Sequence, residues 1–187
     1  MIALLWFMFA FFLGSLPLSV WVTQWMTGND PRAVGDHNPG ATNALKAGGK
    51  AAGLVALMLD VTKAALPIGL AYQIFHLQGW QMVLIALAPT LGHAYSPFLH
   101  FKGGKALATI LGVWIGLTTW GVPLVALAGI TFWYLTIKHS GWSAVLTMIG
   151  MAVYIYIAHP LPIFFWVIGL QFILVIWKHR RELAARR

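Results

Sequence analysis

Seven apolar runs separated by short polar gaps cover most of the 187-residue chain: residues 2–26, 51–75, 80–99, 107–120, 122–137, 143–158 and 160–177. A bilayer crossing takes about 20 predominantly apolar residues, with a range of roughly 17–25. The first three runs, of 20–25 residues, reach the typical length. The last four are short and need tilt, re-entry or helix ends that continue into the gaps. The pattern predicts an all-α integral membrane protein with seven transmembrane helices, and no linker or low-complexity stretch divides residues 1–187 into more than one domain.

Charge then orients the array. Eleven of the twelve Lys and Arg residues lie in the gaps. With seven crossings, Arg32, Lys46, Lys50, Lys102, Lys105, Lys138, Lys178, Arg180, Arg181, Arg186 and Arg187 fall on one side. The N-terminus and the turns near residues 76–79, 121 and 159–160 fall on the other, with no Lys or Arg at all. By the positive-inside rule the basic side is cytoplasmic, which places the N-terminus outside and the C-terminus inside. Trp21, Trp25, Trp80, Trp120, Trp142 and Trp177 lie near run ends, as interfacial anchors do.

Composition narrows the function classes. Only 9% of residues are charged and mean hydropathy is +0.79, whereas soluble domains carry roughly a quarter charged residues. A net charge of +8 would point to nucleic acid in a soluble chain; here its placement points to topology and acidic ligands, and no nucleic-acid partner is expected. The absence of cysteine excludes disulfides and thiolate nucleophiles. The first 15 residues lack the basic start of a signal peptide and read as a retained helix.

The polar gaps on the cytoplasmic face carry the chemistry. GDHNPGATN, residues 35–43, precedes Lys46 and Lys50. Gly, Asn and Asp accept left-handed backbone, so the run can turn several N–H groups toward one point. A helix starting at Thr42 or Asn43 would add free N–H groups to an anion site. FKGGK, residues 101–105, lets backbone approach a phosphate at Gly103 and Gly104 beside the Lys105 ammonium. It is not a Walker A loop, because Ala106 stands where Ser or Thr would follow. His93, Ser140, Ser143 and His179 lie on the same face. Inside the second run, Asp60 and Lys63 are three residues apart and share a helix face; the pair either fixes helix packing beside Pro67 or serves function. His, Asp and Glu show no metal spacing, so no metal site is expected.

In order and spacing, GDHNPGATNALK (35–46), LDVTKAALP (59–67), GHAYSPFLHFKGGKALAT (92–109) and KHRRE (178–182) resemble the bacterial acyl-phosphate-dependent glycerol-3-phosphate acyltransferases (PlsY). GSLPLSVWV, from residue 14, is similar to that family's first-helix motif. The resemblance spans nearly the whole chain. It implies a seven-helix enzyme of the bacterial plasma membrane that transfers an acyl group from acyl phosphate to the sn-1 hydroxyl of glycerol 3-phosphate, forming lysophosphatidic acid. It implies no cofactor, metal or nucleotide, and membrane lipids as further partners. Carried over by position, it places Asn38, Gly40, Ala41, Thr42, Asn43, Lys46, Gly103, Gly104, Lys105, Ser140, Ser143 and Glu182 at substrate and phosphate binding. His179, Asp36, Lys105 and His93 take the catalytic positions.

Three departures stand out. Where the family has G-S-G-N, this chain has Gly35, Asp36, His37 and Asn38; its GGKG ends in Ala106; and its HxxN ends in Glu182. Two carboxylates aimed at phosphorylated substrates repel them unless Lys46, Lys105, Arg180 or a protonated His37 compensates. Two rival readings follow: a catalytically silent paralogue that binds lipid or phosphate, and a small-anion transporter. The transporter predicts an internal repeat, and the sequence shows none. With no Ser-His-Asp arrangement and no Cys, direct transfer without an acyl-enzyme is expected, the proton going to His179, to His93 or to a substrate phosphate.

Overall fold

Pro17 and Gly49 decide how the first two runs are built. In the computed structural model, which describes residues 1–184, the first run is two helices, α1 (Ile2–Ser15) and α2 (Leu18–Thr27). Pro17 has no N–H to donate and ends the ladder. The carbonyls of Ser15 and Leu16 at the break are taken by distant side chains: Ser96 Oγ donates to Ser15, and Lys63 Nζ donates to Leu16 at 2.8 Å. In lipid such carbonyls have no water to fall back on.

The second run belongs to α3 (Ala41–Gly69), which starts earlier than expected and bends at Gly49, where φ is +79°. Glycine reaches that backbone conformation at little cost. The turns before the bend fold back, and Leu45 lands on Gly53, where a Cβ would stand only 2.7 Å from Leu45 Cβ. After Pro67 the helix widens through Leu70–Ile74, and Gln73 Nε2 donates to the carbonyls of Gly116 and Leu117, at 3.3 and 3.1 Å.

The remaining helices are α4 (Gly79–Ala94), α5 (Leu107–Thr118), α6 (Gly121–Ile137), α7 (Ser140–Ala158) and α8 (Pro162–Ala184). Short 3-10 turns stand at Pro31–Ala33 and Pro97–Leu99, and the described residues contain no strand. Five stretches are long and apolar enough to cross a membrane: Ile2–Thr27, Ala41–Ile74, Gly79–Leu99, Ser140–Ala158 and Pro162–Ala184. The apolar helices α5 and α6, of 12 and 17 residues, are shorter. Residues 178–182 continue α8 as expected, while Arg186 and Arg187 lie outside the described residues.

Packing pairs α1 with α4, α3 with α5, α6 with α7, and α8 with α4 and α7. Small residues let backbones touch, as in other membrane bundles. A Cβ on Gly14 would overlap the Pro89 backbone, and one on Gly92 would overlap the Phe11 carbonyl. Between the helices lies a core that includes Ile68, Met82, Ile85, Trp114 and Phe164, with Trp114 Nε1 donating to Gln171 Oε1 at 2.9 Å. The outer face is itself apolar: Leu4, Met8, Leu54, Leu135 and Ile173 are all exposed, as are the six end-of-run tryptophans. A surface of that kind suits lipid rather than water.

Candidate active site

Four polar segments meet at Lys105. Its ammonium pairs with Asp36 from the loop before α3 and with Glu182 from the last turns of α8. Ser140, at the start of α7, donates its hydroxyl to the other oxygen of Glu182. The Gly-rich loops, the third gap and the C-terminal basic stretch therefore share one end of the bundle.

The first loop is braced from within. Asn43 Nδ2 donates to Asp36 Oδ1 at 2.8 Å and to the Asn38 carbonyl at 3.0 Å. These two acceptors fix the amide orientation and leave Asn43 Oδ1 buried and without a partner. The helix begins at Ala41 with Gly40 as its cap, earlier than the expected Thr42 or Asn43 start, and no side chain caps its first turn. The free N–H groups there lie beside the loop, where a helix N-terminus favours anions. A side chain on Gly35, at φ +62°, would overlap Asn43 Oδ1 and come within 3.0 Å of the Lys46 ammonium.

Electrostatics keeps the cluster charged. Burial alone would raise the Asp36 carboxyl, but Lys105, Asn43 and the Asn38 N–H together hold it below the ordinary aspartate value. A carboxyl depressed in this way adds stability above its unfolded pKa of about 3.9 and loses it as pH falls through the lower folded value. Asp36 thus stays ionised on Lys105 throughout the neutral range. Nearby, the Arg32 fork holds Asp30 low, with Nη2 2.7 Å from Asp30 Oδ2.

The second loop sits directly on His93. The Gly104 N–H donates to the His93 carbonyl at 3.0 Å, and a Cβ on Gly104 would overlap the His93 ring at Nε2. Lys178 locks the same loop, donating to the carbonyls of Ala94 (2.8 Å) and Gly103 (3.1 Å) while lying over the Tyr95 ring. His179 is buried in α8: its Nδ1 donates to the Val175 carbonyl at 2.9 Å, and Nε2 has no partner.

Some expected residues are turned elsewhere. Ser143 is buried and donates its hydroxyl to the His139 carbonyl at 2.8 Å, which is ordinary back-bonding at a helix start. Arg180 lies over the Trp177 ring at 4.1 Å, and His37 binds the Arg32 carbonyl at 2.9 Å, so neither compensates the carboxylates. Ala41 and Thr42 contribute backbone from the first turn of α3. Lys178 carried no role in the sequence beyond topology, and Lys63 proves to touch His93 Nδ1 at 3.0 Å. The Asp60/Lys63 spacing was the one signal for that contact.

Two departures from the family pattern coincide with left-handed backbone. Ala106, which caps α5, has φ +65°, and His37 has φ +60°. That conformation costs an L residue roughly 1–2 kcal/mol, part of which a glycine loses again through its freer unfolded chain. Ala106→Gly should therefore stabilise the protein by about 0.5–1 kcal/mol, read as a higher unfolding midpoint in detergent. A lower midpoint would mean that the Ala106 methyl packs better than its backbone sits.

An apolar groove of about 500 Å³ runs between α4 and α8, lined by Leu87, Leu91, Tyr95, Leu170, Ile173, Leu174 and Trp177. Its Tyr95 and Trp177 end adjoins Lys178. A larger groove of about 580 Å³ lies between α7 and α8 near Tyr156 and Phe165, toward the end of α7 opposite Ser140. Among the described residues no cluster of three or more His, Asp or Glu could hold a metal ion.

Residues 4–186 match the family described as Glycerol-3-phosphate acyltransferase. A glycerol-3-phosphate acyltransferase of Actinobacillus pleuropneumoniae serotype 5b (strain L20) is 37% identical over 174 residues, covering 91% of this chain and 85% of that one. One from Coxiella burnetii (strain CbuG_Q212) is 34% identical over 173 residues, with 91% and 86% covered. The fold matches the crystal structure of PlsY (YgiH), an integral membrane glycerol 3-phosphate acyltransferase, in its glycerol 3-phosphate form; the TM-score is 0.89 at 30% identity, over 98% of this chain and 90% of that chain. This chain belongs to the glycerol-3-phosphate acyltransferase family.

Proposed function

We propose that the chain makes lysophosphatidic acid by direct acyl transfer from acyl phosphate to the sn-1 hydroxyl of glycerol 3-phosphate, at the Lys105 cluster. It does so as a single domain in the bacterial inner membrane, crossing seven times with the N-terminus outside and the cluster on the cytoplasmic face. The charge asymmetry of the gaps supports that orientation, and the apolar outer surface supports a multi-pass protein.

One observation carries the reading. The cluster offers cations and free N–H groups for phosphate, and beside them two buried polar atoms with no partner, Asn43 Oδ1 and His179 Nε2. Both are acceptors. A buried acceptor without a donor costs about 1–3 kcal/mol, and glycerol 3-phosphate brings two hydroxyl donors along with its phosphate.

The mechanism follows from these positions. Lys105, with the free N–H groups of the first turn of α3, gathers the phosphates, and Gly103 and Gly104, having no side chains, let a phosphate approach beside it; Asn38, Gly40 and Lys46 shape the rim of the first loop. The groove between α4 and α8 takes the acyl chain, so that the carbonyl stops near Lys178 and the second loop. The glycerol oxygen attacks the acyl carbon, the bond from that carbon to the phosphate oxygen breaks, and inorganic phosphate leaves with its charge on Lys105. The hydroxyl proton goes to His179 Nε2, the free face of a ring whose other nitrogen is committed to Val175. Holding two anions in register supplies much of the rate, since the donor is already activated.

Asp36 and Glu182 act as counter-ions that a phosphate must displace from Lys105. A like charge about 5 Å away costs roughly 3 kcal/mol at an effective dielectric near 20, and solvent exposure lowers that. Asp36→Asn should therefore reduce the KM for glycerol 3-phosphate by about tenfold. A higher KM would instead make the carboxylate a ligand for the glycerol hydroxyls.

The test of the function is turnover by the purified protein in nanodiscs, with palmitoyl phosphate and radiolabelled glycerol 3-phosphate. Lysophosphatidic acid above the background of heat-inactivated protein establishes the reaction. Saturable glycerol 3-phosphate binding without product would make the chain a silent paralogue.

A further inference from the structure

Buried where α3 meets α4, within the apolar runs, two side chains and a backbone carbonyl share one ammonium. Lys63 Nζ forms an ion pair with Asp60 Oδ1 at 2.7 Å, donates to the Leu16 carbonyl at 2.8 Å and meets His93 Nδ1 at 3.0 Å. Asp60 and Lys63 are almost wholly buried, and His93 is 7% exposed. The Leu16 carbonyl is available because Pro17 breaks the first crossing, so the GSLP sequence and the Asp60/Lys63 spacing are parts of one device.

The proton count is restrictive. A carbonyl and a carboxylate only accept, and an ammonium only donates, with three protons. A buried Asp60 without a cation beside it would be strongly destabilising, which keeps Lys63 charged. The ammonium donates to Leu16 and can only donate to His93 Nδ1, while Asp60 Oδ1, 2.7 Å away, balances its charge without a hydrogen bond. Asp60 Oδ1 lies 3.8 Å from His93 Nδ1, too far to take a proton from that nitrogen. His93 Nδ1 must therefore be the bare nitrogen, and the ring proton must sit on Nε2.

Nε2 is the atom that faces the second loop. It lies against Gly104, where a Cβ would overlap it, and Gly104 adjoins Lys105. We infer that Lys63 and Asp60 are positioning residues: they hold His93 in the Nε2–H form, so that it donates a hydrogen bond to a phosphoryl oxygen seated at Gly104 and Lys105. This use of His93 rests on the phosphate reading of that loop. It separates the two histidines by role. His179, whose Nδ1 proton is given to Val175, presents a lone pair, and His93, whose Nδ1 is filled by Lys63, presents a proton.

The first test reads the tautomer and requires no turnover, so it stands or falls independently of the acyltransferase reading. Protein with ring-15N-labelled histidine is placed in nanodiscs, and the His93 nitrogens are assigned by their loss in His93→Gln. A protonated Nε2 with a hydrogen-bonded, unprotonated Nδ1 is the expected spectrum. A protonated Nδ1, in either the other tautomer or the imidazolium, overturns the inference. The second test is a double-mutant cycle. Asp60→Asn/Lys63→Met, which removes the buried ion pair as a unit and leaves no carboxylate alone, should lower kcat by at least about tenfold, with the KM for glycerol 3-phosphate changed by less than about threefold, the signature of a lost transition-state contact. In His93→Gln, the amide N–H stands near the former Nε2 without help from Lys63, and there the same paired change should cost less than about twofold. Equal losses in the two backgrounds would leave Lys63 a structural residue only.

Discussion

The Lys105→Ala protein is expected to lose about 10³-fold in kcat/KM for glycerol 3-phosphate, with most of the loss in kcat, since removing one preorganised donor to developing charge typically costs 10²–10³-fold. Among the described residues, Lys105 is the one cation in direct contact with both Asp36 and Glu182. It also directly follows Gly104 in the chain. Without substrate it is shared between two carboxylates; in the proposed mechanism bound phosphate displaces them, and the leaving phosphate gathers further charge beside it as the acyl bond breaks. Its contribution is therefore larger in the transition state than in the substrate complex, which is the condition for a kcat effect. Without it, Asp36 and Glu182 face bound phosphate with no cation between them, so substrate binding also weakens. Steady-state kinetics in nanodiscs, together with direct glycerol 3-phosphate binding, separates the two losses. A variant with raised KM and unchanged kcat would reduce Lys105 to a binding residue and move the charge stabilisation elsewhere, with Lys178 the nearest candidate by virtue of its hold on Gly103. The variant should also unfold at lower temperature, because it leaves two like charges close together.

The course of the chain was legible in the sequence because lipid enforces it. A backbone crossing a membrane must satisfy its own hydrogen bonds, so apolar length translates directly into helix. The breaks were less legible. The run 2–26 reads as one helix because membrane helices tolerate proline when neighbours take up the freed carbonyls, and the takers here, Lys63 and Ser96, are far away in sequence. The bend at Gly49 is hidden for a related reason: GGK between apolar runs fits a loop as well as a kinked helix. In the site, residue type was legible and direction was not. Asp36, Lys105, Ser140 and Glu182 meet, as their shared face required. Of the four proposed compensators for the carboxylates, only Lys105 touches them; Arg180 turns to Trp177, His37 to the Arg32 carbonyl, and Lys46 reaches over Gly35. A charge on a long side chain can serve whichever partner the tertiary fold brings near, and gap composition cannot rank those partners. The Nδ1 environments of His93 and His179 were beyond the sequence for the same reason, although they decide which ring gives a proton and which takes one.

His179→Asn tests that last distinction at its most consequential point. Asparagine can keep an N–H near the position of Nδ1, so the bond to the Val175 carbonyl and the packing of α8 can survive, while the atom at Nε2 disappears. If His179 takes the hydroxyl proton, kcat should fall by roughly 10²–10³-fold, within the usual range for a positioned general base. KM should stay within about threefold, because a base acts on the proton in flight and contributes little to ground-state binding. The unfolding midpoint should change little, which separates loss of chemistry from loss of fold. The residue is 1% exposed, so water cannot readily replace the missing base. An acyl phosphate donor, however, brings oxygens of its own to the same place. If the variant retained activity within about threefold, the proton would go to the departing phosphate, and the empty acceptor at Nε2 would serve to orient the glycerol hydroxyl. A large rise in KM at constant kcat would place His179 among the binding residues with Asn43. Each of the three outcomes assigns the proton, and the one expected from a ring with its Nδ1 face committed and its Nε2 face free is the first.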